Sequence, residues 1–224
     1  LVRAIEAEGM NAVAVFSNSY RDERVESPTL MDAIRKYFCR DGEPFVDVII
    51  STMKFSIKAG GTRIEDLYEL GVPILEAYTV LAQKEEWERS PAGLDPMEVS
   101  MSVAMPEFDG VIHAVPIAAK VRDEAGEVSY APLDERMERM ARKARKWAAL
   151  RHKPNAEKKI AIVFHNYPAT NANIGSAAGL DSPESVLSLL REMRTAGYVM
   201  EEIPESSKAF MKLLTDHATN DRRF

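Results

Sequence analysis

Apolar residues recur along the chain in two rhythms. Residues 11–16, 46–50, 72–77 and 111–115 form short, nearly unbroken apolar runs of strand length. Runs without alternation predict strands covered on both faces. Between them the spacing changes to that of helices. Residues 1–8 read as a helix stopped by Gly9. Ser27-Pro28 is expected to open a helix with Leu30, Met31, Ile34 and Phe38 on one face. Thr62 is expected to cap a helix carrying Ile64, Leu67 and Leu70 that stops at Gly71, and residues 95–104 form a further one. The turn-rich stretch 122–132 reads as an excursion or a hairpin. Strands alternating with helices predict a doubly wound, mostly parallel α/β sheet of Rossmann-like type, in three layers αβα.

A long helix follows over 133–150. Met137, Met140, Ala141, Ala144, Trp147 and Ala148 give it one apolar stripe, and the rest of its surface is basic. From Arg136 to Lys159 there are ten Lys or Arg against two acids. Beyond Pro154 and Asn155 the strand rhythm resumes at 159–164. A loop from His165 to Asp181 comes next, then a helix over 183–196 with Ser182 ahead of Pro183, a stop at Gly197, a strand near 199–203 and a last helix over 207–216. The domains expected are a Rossmann-like unit over 1–131, a basic connecting helix over 132–156, and the start of a second, truncated α/β unit over 157–224.

The loop of 17 residues changes the picture most. Ordinary strand-to-helix connections have about 2–6 residues, and longer ones carry a function or are disordered. This one holds His165, Tyr167, Ile174 and Leu180, which is not a linker composition. It leaves the carboxyl end of an expected strand, where open α/β sheets bind ligands. Asn166, Tyr167, Asn173 and Gly175 are its candidate ligand contacts, with the loop's own backbone as the other use for the two asparagines.

Net charge of −6 argues against nonspecific nucleic-acid binding as the main role. One cysteine, Cys39, excludes an internal disulfide and fits a reducing, cytoplasmic setting. No apolar run reaches the roughly 18 residues of a membrane span. The chain opens within a helix at Leu1, which reads as an internal fragment.

Several ordered blocks resemble one family. Lys158 through Pro168, Ile174-Gly175, Gly179 through Val186 and Gly197-Tyr198 follow the signature of the cobaltochelatase large subunit and the porphyrin-binding (H) subunit of magnesium chelatase. Upstream, Trp87-Glu88, Gly93-Leu94, Met105 through Gly110, Pro116-Ile117, Lys120 and Arg145-Lys146-Trp147 match in the same order. Ala172 stands where the family commonly has glycine, and Val111 where it has a basic residue. The resemblance implies a subunit that holds a tetrapyrrole while Co2+ or Mg2+ is inserted, with ATP hydrolysed by separate AAA+ subunits. The chain has no phosphate-binding G-x-x-x-x-G-K-[S/T] of its own. It implies a fragment that inserts no metal alone. A noncatalytic tetrapyrrole- or small-ligand-binding module of a chelatase-like paralogue is the alternative.

Such chemistry needs a base for two pyrrole N–H protons and ligands for a cation losing water. Glu107, Asp109 and His165 are the candidate catalytic residues. Glu107 and His165 are also candidate transient metal ligands. The basic helix face suits the carboxylate arms of a tetrapyrrole or an acidic partner, and equally a solvated surface.

Overall fold

A computed structural model describes residues 1–16, 29–56 and 63–216. By internal contacts the chain divides into two units, Leu1–Arg151 and His152–Phe224.

The first unit opens with α1 (Val2–Ala7) and α2 (Leu30–Phe38). Thr29 caps α2 through a reciprocal box with Asp32, which satisfies two otherwise orphaned N–H groups. A small hairpin follows, β1 (Cys39–Arg40) and β2 (Glu43–Pro44), turned by Asp41-Gly42 with positive φ at both positions. The main sheet holds β3 (Ile49–Ser51), β4 (Ile74–Gln83), β5 (Ile112–Arg122) and β6 (Val128–Pro132), in the spatial order β3-β4-β5-β6. β3, β4 and β5 are parallel, with Ile49 beside Ile74 and Leu75 beside Ile112. β6 returns antiparallel to β5, so the turn-rich stretch is a hairpin. The sheet is therefore mixed, and helices lie on both faces, as an αβα arrangement requires.

Alternation along β4 decides what each face meets. Ile74 faces α2 and α3 (Ile64–Glu69), in a core with Met31, Ile34, Leu67 and Val111. Leu75 and Ala77 point the other way, onto α7 (Asp134–His152), with Val115, Ile117, Met140 and Ala144. Met140 is fully buried, and shortening such a side chain to alanine costs about 2–5 kcal/mol. Tyr78 and Val80 continue the first face under Trp87 and Leu94. Trp87 belongs to α4 (Lys84–Arg89), an element the apolar pattern does not reveal.

The expected helix over 95–104 becomes a longer, irregular one. Asp95 caps α5 (Pro96–Val99), which passes through a π turn (Ser100–Ala104) into α6 (Met105–Phe108). Met105 N–H reaches back five residues to the Ser100 carbonyl. Pro106 follows at once; its ring has no N–H and would crowd the Ser102 carbonyl in a regular α turn.

In the second unit α8 (Ser182–Thr195) is capped by Asp181 rather than Ser182, and α9 (Ser207–Thr215) by Ser206. Leu187 and Phe210 are its buried apolar residues, and the Phe164 and Phe210 rings meet at 5.9 Å.

Three expected strands differ. Residues 11–16, 159–164 and 199–203 form no ladder among the described residues. Phe16 is 92% exposed and Val163 89%. An apolar run becomes a strand only where a neighbour supplies N–H and C=O groups, and none of the described residues does so for these runs. The Ser27-Pro28 helix start and the Thr62 cap lie outside the described residues.

Candidate functional site

β3, β4 and the helix that starts at Pro96 carry buried polar groups outside the candidates named above. Glu76 interrupts the apolar run of β4 and is 1% exposed. Neither of its carboxylate oxygens has a hydrogen-bond partner among the described residues. Burial pushes its pKa up to about 8, against a weaker opposing pull from the Ser51 hydroxyl beside it in the ladder. That hydroxyl falls short of hydrogen-bond geometry with Glu76 and instead accepts from the Met53 N–H. Glu76 is thus a neutral acid in the core near neutral pH. The Ser102 hydroxyl, buried in the π turn, also lacks a partner among the described residues.

Glu98 is buried too, but it is employed: its carboxylate accepts from the Leu81 N–H of β4. Around it, Tyr78 is raised to about 12 by burial first and by the Glu98 charge next. Lys54, just past β3, is held below the usual lysine range by burial, which the Glu98 charge partly offsets and Lys120 reinforces. A proton-holding carboxylic acid near the start of β4, and a carboxylate and a lysine nearer its carboxyl end, thus lie along this strand. One charged residue inside a parallel strand's apolar run, Glu76, was the signal available in the sequence.

The candidates Glu107 and Asp109 lie just before the amino end of β5. Glu107 is on α6 and exposed, whereas Asp109 is buried just beyond it. Two residues apart on a helical turn, the two side chains diverge rather than share a face. Phe108 between them is 80% exposed. Asp109, Gly110 and Val111 N–H groups all return to carbonyls of Pro106 or Glu107, which fixes the turn. Gly110 has φ of +81°, and a Cβ there would meet the Tyr68 ring at 3.1 Å, so the turn needs glycine.

In the second unit the loop from His165 is tightly self-bonded. Gly175 N–H donates to the His165 carbonyl at 2.7 Å. Asn166 accepts from the Thr170 N–H and Asn173 donates to the Pro168 carbonyl, so both asparagines hold loop backbone. His165 and Tyr167 are exposed. Tyr167-Pro168 is a cis peptide. No three His, Cys, Asp or Glu side chains come together as metal ligands among the described residues. No helix among them is long and apolar enough to cross a membrane.

Comparison with known proteins agrees over the whole length. The family model described as CobN/Magnesium Chelatase matches residues 1–224. The aerobic cobaltochelatase subunit CobN of Pseudomonas aeruginosa is 40% identical over 67% of this chain and 12% of its own length. The chloroplastic magnesium-chelatase subunit ChlH of Oryza sativa is 32% identical over 95% of the chain and 15% of its own. An uncharacterised protein of Methanocaldococcus jannaschii is 39% identical over 100% of the chain and 19% of its own. The solved catalytic subunit of cobaltochelatase from Mycobacterium tuberculosis superposes with a TM-score of 0.74 at 29% identity, over 96% of this chain and 18% of that one. The chain therefore spans less than a fifth of the length of these relatives.

Proposed function

Since the chain belongs to the CobN/magnesium chelatase family, we propose that it serves as part of a large subunit that holds a tetrapyrrole for insertion of Co2+ or Mg2+. The observation that carries this reading is the pair Glu107 and Phe108, exposed side by side on a turn locked by Gly110. An exposed aromatic ring offers a face for a flat macrocycle. The adjacent carboxylate offers a base for pyrrole N–H protons and an oxygen ligand for the incoming cation, which is a substrate here. Asp109, buried beneath, positions the turn.

His165 is proposed as a second proton or metal contact, supported by its exposure on a loop held by Asn166, Asn173 and Gly175. Tyr167 is the exposed side chain of that loop suited to a macrocycle. ATP hydrolysis is assigned to AAA+ partner subunits, and the chain alone is expected to insert no metal.

The test is an absorbance titration of the chain with a porphyrin or a corrin precursor, repeated on Glu107→Ala, Phe108→Ala and His165→Ala. Binding is expected, weakened most in Phe108→Ala. Glu107→Ala is expected to keep binding and to abolish metal insertion when restored to the full subunit with its partners. A folded chain that leaves the absorbance band unmoved overturns the reading, as does ATP turnover by this chain alone.

A further inference from the structure

Arg136, Arg139, Lys143 and Trp147 follow one another along α7 at spacings of three, four and four residues, so they share one edge of the helix. That edge borders the first residues of β5. Between them lies a cavity of about 200 Å³, whose lining includes His113, Val115, Pro116, Arg136, Arg139 and Lys143. No acid lines it.

Three cations elsewhere on α7 are matched. Arg142 pairs with Glu138 at 3.3 Å, Arg145 with Glu8 at 3.0 Å, and Arg151 with Asp47 at 3.7 Å. At the cavity only Arg136 has an acid, Glu135 at 3.6 Å. Arg139 and Lys143 have none within ion-pair distance among the described residues. Like charges one turn apart repel, so this edge holds charge that its own helix does not compensate. His113 faces it with a backbone φ of +57°, the left-handed region a branched or bulky strand residue avoids. Its ring meets Trp147 at 5.7 Å. Lys143 is close enough to disfavour the imidazolium further, after burial.

We propose that this cavity is an oxyanion site, which takes one carboxylate or phosphate group of a small molecule between Arg139, Lys143 and His113. Whole ligands of drug size occupy roughly 300–1,000 Å³, so a macrocycle does not fit inside and a single acidic group does. Two sources share that chemistry. One is a carboxylate arm of a larger ligand, a version that rests on the tetrapyrrole reading above. The other is a free anion such as phosphate.

The experiment follows the His113 ring signals of the chain by NMR during titration with inorganic phosphate and with succinate. Saturable shifts are expected, with the His113 pKa rising as the anion binds. Arg139→Ala and Lys143→Ala should each weaken binding about tenfold, the scale of one charge-assisted hydrogen bond. Arg142→Ala, on a matched part of the helix, should leave it unchanged. A tetrapyrrole with free carboxylates is then compared with its methyl ester: an Arg139→Ala effect on the acid alone identifies the arm, and no effect on either identifies a free anion. Absence of any shift with both anions overturns the proposal, as does an equal loss in Arg142→Ala. If the macrocycle binds while neither anion reports at His113, the oxyanion site fails and the tetrapyrrole reading stands. If the anions bind and no macrocycle does, the reverse holds.

Discussion

Ser51 and Glu76 stand beside each other in the parallel ladder of β3 and β4, and both are buried. The serine hydroxyl serves its own loop, and the glutamate keeps its proton. Its folded pKa of about 8 lies above the ordinary 4.5. The folded state therefore binds the extra proton between those values. The stability tied to that proton is fully present below 4.5 and is lost as pH rises through about 8. The loss runs at about 1.4 kcal/mol per pH unit within that window. Glu76→Gln, which cannot ionise, is expected to remove this slope. Urea midpoints of the two proteins from pH 5 to 9 check it: wild type falls relative to the variant up to about pH 8 and levels off beyond. Parallel curves would show that Glu76 ionises normally.

Glu98 makes a second, separable prediction. Its carboxylate is the partner of the half-buried Leu81 N–H, and its own N–H is held by the Asp95 cap. Glu98→Ala leaves the half-buried Leu81 donor without this partner, at a cost of about 1 kcal/mol. Glu98→Gln keeps an acceptor in place and should recover most of that. Thermal melts of the three proteins decide it, and equal losses in both variants would mean that charge rather than the acceptor matters.

Much of the fold is legible in the residues. The run at 72–77 reads as a strand because nearly every residue is apolar, and β4 indeed carries both cores. It extends on to Gln83 because β5 continues to pair with it, which no local pattern announces. Met140 and Ala144 mark the buried stripe of α7 through spacing alone. The runs at 11–16 and 159–164 have the same apolar look and form no ladder among the described residues, since pairing depends on a neighbour that a local rhythm does not contain. At the candidate site, Glu107 and Asp109 are close in sequence, but whether they share a face depended on backbone conformation. An extended segment would align them; the helical turn ending at Gly110 separates an exposed carboxylate from a buried one.

Two glycines with similar backbone conformations should respond differently to alanine. Gly197 has φ of +87° with nothing near its absent Cβ, so Gly197→Ala carries only the left-handed penalty of about 1–2 kcal/mol. Gly175 has φ of +72°, and a Cβ would lie 2.6 Å from Phe164 Cδ1 and 3.2 Å from Ser182 Cβ. Gly175→Ala must also displace the Phe164 ring, for about 1–3 kcal/mol more from overpacking. Limited proteolysis within the loop 165–181 should accelerate in Gly175→Ala and not in Gly197→Ala. Equal protection in both would place no demand on Gly175.

His113 supplies the opposite pH sign from Glu76. Partial desolvation beside Trp147 first and Lys143 next hold the pKa of this largely exposed histidine below the ordinary 6.5. The unfolded chain thus takes up its proton before the folded chain does. The stability linked to the neutral imidazole is present above 6.5 and is lost as pH falls through the lower folded value. Lys143, one of the three lining cations on α7, acts in this direction. Lys143→Ala is expected to raise the His113 pKa while leaving it below 6.5, because burial remains. An NMR titration of the ring in both proteins measures this. A pKa that does not move would place Lys143 too far from the imidazole to matter, and one that reaches the ordinary value would make the lysine, not burial, the larger cause.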